Sequence, residues 1–251
     1  MITKLQKAGG EEFERLQNLK REETGNPEAV LQSWDRNFYT NVLKEKFYSI
    51  DEEKIKEYFP VDHVVKETME IYQELLGLKF TLIPNVQLWH EDASMYLVED
   101  AANGETLGHF YLDLHPRDNK FSHAAVFPLL KRAKIDGKVI PAAAAMLCNF
   151  DKPSSERPSL LPHGDVVTFF HEFGHVMHGM CSHANYSRFS GTSVERDFVE
   201  LPSQMLENWV WDKTIMKRVS KHFESGEQLP DDLIDKKIGI KNLLEATFTL
   251  R

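Results

Sequence analysis

The sequence predicts a mainly α-helical protein with one small β-sheet, and three observations support that prediction. Amphipathic, charged stretches with helix-boundary signals fill residues 1–78. Between 79 and 150, aromatic and β-branched residues gather in short segments that are bounded by Asn, Gly and Pro. Helical patterns return at about 165–182, 198–223 and 231–250, after a loop that is rich in Pro and Ser.

The N-terminal region is expected to form several helices. Residues 11–21 are charged and amphipathic, and Pro27 suits the first position of the next helix, where an N–H would be unpaired anyway. Asp51 can cap a short helix. A longer helix is predicted over 61–76, and Gly77 marks its end because glycine readily adopts the left-handed conformation.

The sheet region contains a hairpin signal and an ambiguous segment. Asn103-Gly104 lies between two strand-like segments, and this dipeptide favours a tight turn. The segment "IPAAAAMLCNF", residues 140–150, has four consecutive alanines that favour a helix, although a buried edge-lining strand also fits.

Composition narrows the classes of protein that fit the chain. Its 251 residues suit one large domain or two small ones, and 41% hydrophobic with 27% charged residues is ordinary for a globular protein. A net charge of -9 argues against nucleic-acid binding, which needs clustered Lys and Arg. Cys148 and Cys181 cannot form a disulfide framework, which favours a reducing compartment.

The sequence carries no evident membrane or targeting signal. No apolar run approaches the ~18 residues of a membrane-spanning helix, and the N-terminus lacks the apolar core of a signal peptide. We therefore expect no membrane partner and a cytoplasmic location. The last helical pattern has no stop signal, so we interpret the chain as a piece of a longer protein, truncated at the C-terminus.

The segment "VVTFFHEFGHVMHGM", residues 166–180, contains the pattern H-E-x-x-H. On a helix, His171 and His175 lie one turn apart and can converge on one metal ion. Glu172 projects at a neighbouring angle and can reach a metal-bound water without being a ligand itself. The alternative is an ordinary helix with histidines on its surface.

The rest of this helix follows the same periodicity. Asp165 is expected to be its N-cap. An apolar stripe opposite the histidines is predicted to face the core, and it comprises Val166, Phe169, Phe170, Phe173, Met177 and Met180.

A catalytic metal site usually has three protein ligands, so a third must come from elsewhere. Glu200 begins a predicted helix near Pro202, but a capping box with Asp197 would also explain it. The downstream candidates are His183, Glu195, Asp197, Glu200 and Glu207. Spacing alone does not choose between Glu195, Glu200 and Glu207. Asp197, Glu195 and Ser203 could instead orient the histidines.

Five longer segments carry a resemblance to a known family that goes beyond the H-E-x-x-H motif. They are "FFHEFGHVMH", "FSGTSVERDFVELPSQMLENWVWD", "GHFYLDLHPRDNKFSHAAVF", "YQELLGLKF" and "ERPSLLPHGDV". They resemble the thimet oligopeptidase and neurolysin family of zinc metallopeptidases. The resemblance runs from about Trp34 to the C-terminus.

The resemblance implies roles for particular residues. One Zn²⁺ per chain would be held by His171, His175 and Glu200, with Glu172 as the catalytic base. The family fold is mostly helical, with a small sheet lining a deep channel that admits short peptides. This implies a substrate-lining role for four residues of the sheet region, Gly108, His109, Phe110 and Tyr111.

The resemblance also implies the organisation of the chain. Residues 1–251 would form part of a gluzincin-like catalytic domain, with a helical part at 1–78, a small sheet region at 79–150 beside the zinc-binding helix, and zinc-site helices at 164–251. The family's downstream loop, whose tyrosines and histidine stabilise the oxyanion, matches no segment of this chain.

The function implied is that of a zinc metalloendopeptidase that hydrolyses peptide bonds in short oligopeptides. The alternative is a catalytically incomplete fragment that binds zinc or peptide without efficient turnover. Because the oxyanion donors are not matched, we expect weak or no activity from the isolated chain. We expect a monomer with short peptides as partners, in the cytoplasm or, alternatively, in mitochondria, where a processing-type relative would act.

Overall fold

The computed structural model describes residues 2–244 and residue 246. Contacts divide the chain into two compact units, one formed by the segment up to Glu52 and the segment from Pro230, the other by Glu53–Leu229. The helices are α1 (Ile2–Thr24), α2 (Arg36–Tyr48), α3 (Glu52–Ile55), α4 (Val61–Leu76), α5 (His163–Met180), α6 (Arg196–Val199), α7 (Leu201–Glu207), α8 (Lys213–Val219) and α9 (Asp231–Gly239). Short 3-10 turns cover Lys56–Tyr58, Ser187–Phe189 and Asn208–Trp211.

The strands form one small mixed sheet and a separate hairpin. They are β1 (Leu78–Leu82), β2 (Ala93–Asp100), β3 (Thr106–Asp113), β4 (Ala125–Leu130), β5 (Ala133–Ile135), β6 (Lys138–Ile140) and β7 (Ala142–Leu147). The sheet has the order β1-β2-β3-β7-β4, and within it only β3 and β7 run parallel to each other. Helices combined with one small sheet are what the sequence predicts.

The smaller unit has a core of its own. Leu16, Leu19, Leu31, Tyr39, Leu43 and Leu244 form a buried cluster. In the same unit, the buried Lys237 donates to both carboxylate oxygens of Glu52 at 2.6 Å.

Local signals account for much of the larger unit. Gly77 ends α4 in the left-handed conformation, with φ +66°, as predicted. The turn around Asn103-Gly104 joins β2 to β3, and Gly104 has φ +73°. Both observations confirm the stop signal and the hairpin signal of the sequence.

Several sequence predictions need correction. The helix expected to begin at Pro27 begins instead at Arg36, and Pro27 lies in a turn. Asp165 is not the N-cap of α5, because the helix begins at His163 after Pro162, which leaves Asp165 in the first turn. The pattern at 198–223 is not one helix: it is interrupted before α8, where Asp212 caps a new helix by accepting from the backbone N–H of Thr214 and Ile215. The pattern at 231–250 is helical only over α9: residues 240–244 form turns, and 245 and 247–250 lie outside the described residues.

Candidate metal centre

Helix α5 presents two chemically different faces. Its predicted apolar stripe is buried and comprises Val166, Phe169, Phe170, Phe173, Met177 and Met180. Phe173 packs between the sheet and α4, with its ring centroid 5.3 Å from that of Phe110 and 4.9 Å from that of Tyr72. The buried stripe therefore fixes the rotation of α5 and turns His171 and His175 away from this core.

Three side chains converge beside α5. The Nε2 atoms of His171 and His175 each lie 3.1 Å from the same carboxylate oxygen, Oε2 of Glu200. One ligand atom from each of these residues lies within 4.8 Å of the others. Among the described residues, this is the group of histidine, cysteine or acidic side chains that could hold a metal ion.

Close helix packing brings Glu200 to the histidines. Glu200 lies at the junction of α6 and α7, and α7 packs on α5. At the contact, a Cβ added to Gly174 would lie only 2.8 Å from the Cα of Ser203. The hydroxyl of Ser203 lies 3.0 Å from both the backbone oxygen and Oε2 of Glu200, and it can donate to either. Glycine at 174 thus permits the approach, and Ser203 helps to orient the carboxylate.

The outer nitrogens of the two histidines have different surroundings. Nδ1 of His171 lies 3.0 Å from Oε2 of Glu207, the last residue of α7. Nδ1 of His175 is buried and has no hydrogen-bond partner among the described residues. The residue that precedes α7, Glu200, and the last residue of α7, Glu207, therefore contact the two ring nitrogens of His171.

The electrostatics of the cluster favour metal-ligand protonation states. Burial lowers the pKa of His175, and the nearby Glu200 carboxylate only partly offsets this effect. Burial raises the pKa of Glu200, but the hydrogen bond from Ser203 and the two histidines outweigh it, so the net pKa is lowered. A neutral imidazole and an ionised carboxylate are the forms that bind a metal.

The pKa of Glu172 is shifted in the opposite direction from that of Glu200. Burial raises the pKa of its carboxyl group, and Glu200 adds to the rise while His171 opposes it. Its position directly after His171 puts a carboxylate next to the converging group without making it one of the three. A raised pKa makes a carboxylate a stronger proton acceptor, which suits it to general acid–base catalysis.

The structure separates the candidates for a third ligand. Glu200 joins the two histidines, whereas His183, Glu195 and Asp197 lie outside the group of potential ligands found among the described residues. Asp197 does not form a capping box with Glu200, because the N-cap of α6 is Glu195 and no side chain caps it. Glu207, also a candidate, lies on the far nitrogen of His171.

The contact between Glu207 and His171 was not predicted from the sequence. Ser203, one of the residues that could orient a histidine, contacts Glu200 instead. A signal was present, because Glu207 follows Glu200 by seven residues, about two helical turns, and so shares its face. The trajectory of α7 relative to α5 could not be read from this spacing.

The four residues predicted to line the substrate all lie on β3. Gly108 and Phe110 are buried, with Gly108 packed under Met180 and Phe110 in the aromatic core. His109 and Tyr111 alternate with them and are half-buried on the other face of the sheet. Their role towards substrate stays a prediction.

The geometry defines the class of this site as a candidate three-ligand metal centre, with two histidines of an H-E-x-x-H helix and a glutamate from a following segment. The family model described as "Peptidase family M3" matches residues 1–251, and the chain belongs to that family. The similarity seen in the sequence is thereby confirmed. None of the described helices has the length and apolar character needed to cross a membrane.

Curated relatives cover nearly all of this chain. It is 49% identical over 251 residues to the thimet-like oligopeptidase of Dictyostelium discoideum, covering 96% of the chain and 37% of the relative. It is 39% identical over 262 residues to saccharolysin of Saccharomyces cerevisiae, covering 99% and 36%. It is 37% identical over 245 residues to oligopeptidase A of Escherichia coli, covering 97% and 36%. The chain spans just over a third of the length of these relatives.

Proposed function

We propose that this chain carries the zinc-binding and proton-transfer residues of a metalloendopeptidase that hydrolyses peptide bonds in short oligopeptides. The observation that carries the proposal is the convergence of His171, His175 and Glu200. The chain's family and the names of its relatives, which include oligopeptidases, support peptides as the substrate. A gluzincin-like arrangement, in which the small sheet flanks the zinc-binding helix, belongs to the same proposal.

The residues present fit one zinc ion. Imidazole nitrogen and carboxylate oxygen are ligands that Zn²⁺ prefers, at about 2.0–2.2 Å. Two such ligands in tetrahedral geometry are separated by roughly 3.3 Å, and each histidine Nε2 lies 3.1 Å from Oε2 of Glu200. His171, His175 and Glu200 would therefore hold the ion with little rearrangement.

Each residue then has a defined task in hydrolysis. A zinc ion held by these residues would supply a positive charge that polarises the scissile carbonyl and acidifies water. Glu172 accepts the proton of the attacking water at a carboxylate oxygen and later delivers it to the leaving amine, so that the C–N bond breaks as neutral amine and carboxylic product form. Ser203 keeps the Glu200 carboxylate directed at the histidines.

The test combines zinc content with cleavage of a quenched fluorescent oligopeptide. The wild-type chain should hold one zinc and show chelator-sensitive cleavage, however weak. Glu172→Gln should retain zinc and lose cleavage to background, whereas Glu200→Ala should lose both. Cleavage that persists in Glu172→Gln would contradict the proposal.

The second candidate function is zinc binding without efficient turnover. It is the alternative that the sequence analysis left open. One zinc per wild-type chain with cleavage no faster than that of Glu172→Gln would support it. The cytoplasmic location and the monomeric state expected from the sequence stay predictions.

A further inference from the structure

We propose that Glu207 is a positioning residue for the metal centre, acting through His171 and not as a ligand. The inference rests on the proposed function and deepens it. Its basis is the contact of 3.0 Å between Oε2 of Glu207 and Nδ1 of His171, on the side of the ring away from Glu200.

The chemistry of the pair fixes which nitrogen carries the proton. An ionised carboxylate can only accept a hydrogen bond, so Nδ1 of His171 must be the donor. In a neutral imidazole, the lone pair is then on Nε2, which is the atom that faces Glu200 and the proposed zinc. Glu207 thus selects the ligand tautomer and resists rotation of the ring.

The other histidine provides an internal comparison. Nδ1 of His175 is buried without a hydrogen-bond partner among the described residues, so no carboxylate orients that ring through its Nδ1. Of the two histidines, only His171 has a carboxylate on its Nδ1, so removal of Glu207 should affect the His171 ligand alone. A general structural role would not depend on the presence of His171.

The helix that supplies Glu207 also explains how it reaches Nδ1. Glu200 precedes α7 and Glu207 ends it, while Ser203 between them packs against Gly174. This contact holds α7 across the side of α5 where His171 lies. The residue before α7 and the last residue of α7 then touch the two nitrogens of that ring. Carboxylate–histidine–zinc arrangements of this kind typically change metal affinity about 10–100-fold when the carboxylate is removed.

The experiment measures zinc affinity of the 251-residue chain by competition with a chromophoric chelator, using Zn²⁺ alone. Glu207→Ala should bind zinc about 10–100-fold more weakly than wild type. Glu207→Gln should recover part of that loss, because its side-chain oxygen can still accept from Nδ1. The matched control is Glu91→Gln, which removes an exposed acidic residue elsewhere in the larger unit.

A double-mutant cycle separates positioning from a merely structural role. In a His171→Ala background, Glu207→Ala should cost no further zinc affinity. The visible spectrum of the Co²⁺-loaded chain should change in Glu207→Ala and return towards wild type in Glu207→Gln. Circular dichroism of the metal-free variants checks that each is folded.

Three results would overturn the inference. Unchanged zinc affinity in Glu207→Ala overturns it while leaving the proposed function intact. A loss as complete as that of Glu200→Ala would make Glu207 a ligand. A wild-type chain that binds no zinc would overturn both this inference and the proposed function.

Discussion

At the scale of single residues, Gly174 controls the geometry of the candidate metal centre without contributing a functional group. Its missing side chain allows the backbone of Ser203 to approach, and a Cβ there would meet a backbone atom at 2.8 Å. Backbone atoms in a packed contact cannot move aside as a flexible side chain can. A larger residue would therefore shift α7, and with it Glu200, away from the histidines.

Gly174→Ala is accordingly expected to lower the unfolding free energy by about 1–3 kcal/mol through overpacking, despite the better helix propensity of alanine. It should also weaken zinc binding by about tenfold or more, because the displaced α7 no longer holds the Glu200 ligand in position. Denaturant unfolding and chelator competition measure the two effects. Gly164→Ala is the control on the same helix, because a Cβ there meets nothing within 4 Å. Equal zinc affinity in the two variants would contradict the prediction.

The residues of the centre were predictable to different extents for a physical reason. His171 and His175 follow from local geometry, since residues four apart on a helix share a face. The choice between Glu195, Glu200 and Glu207 depends on how α7 crosses α5, and spacing left it open until the family resemblance was considered. The contact of Glu207 with Nδ1 requires the same tertiary information, which no local pattern contains.

At the scale of elements, strand pairing determined the conformation of the alanine-rich segment at 140–150, which local propensity left ambiguous between helix and strand. The alanines of β7 favour a helix when considered alone, yet this strand pairs with both β3 and β4 and lies inside the sheet, not at its edge. By contrast, the predicted helix at 198–223 overlooked a signal that was present. Asp212 is a good N-cap residue, and its side chain starts α8.

A buried ion cluster holds the end of β3. The side chain of Asp113 is fully buried and accepts from Trp89 and from both terminal nitrogens of Arg117, at 2.7–2.8 Å. Lys120, also buried, lies 2.9 Å from the same carboxylate and donates to the backbone oxygen of Cys148. The cluster therefore ties the loop after β3 to the end of β7.

This cluster predicts a pH-dependent contribution to stability. Burial alone would raise the pKa of Asp113, but hydrogen bonds from Arg117, Trp89 and Lys120 outweigh it and hold the pKa well below its ordinary value. A lowered folded-state pKa stabilises the fold above the unfolded value of about 3.9, and the contribution is lost as pH falls from there through the folded pKa.

Asp113→Asn should therefore lower the unfolding free energy by about 3–5 kcal/mol at pH 7, because it leaves Lys120 buried without its charge partner. The difference from wild type should narrow as pH falls below about 4. Urea unfolding at several pH values measures both. Asp118→Asn, an exposed position in the same loop, is the control and should behave like wild type at every pH. A difference for Asp113→Asn that does not vary with pH would refute the electrostatic explanation.

At the scale of the whole molecule, the sequence could not reveal which distant segments share a unit. Leu244 completes a core with Leu16 and Leu43, and Lys237 pairs with Glu52, so the two ends of the chain contribute to one unit. Such contacts join residues far apart in sequence and leave no periodic signal. The division of the chain at 78, 150 and 164 that the sequence suggested stays a prediction.

All three proposed zinc ligands belong to the unit of residues 53–229. Removal of the metal should therefore change the thermal stability of that unit. A ligand that binds only the folded state adds about 2.7 kcal/mol of stability at 100 times its Kd. For a chain of this size, that corresponds to a rise in Tm of roughly 5–11 °C. Calorimetry with zinc and with EDTA should show this shift in wild type and not in Glu200→Ala. If the units unfold in separate transitions, only the transition of the unit with the metal centre should move. An equal shift in Glu200→Ala would mean that zinc stabilises the chain at some other place.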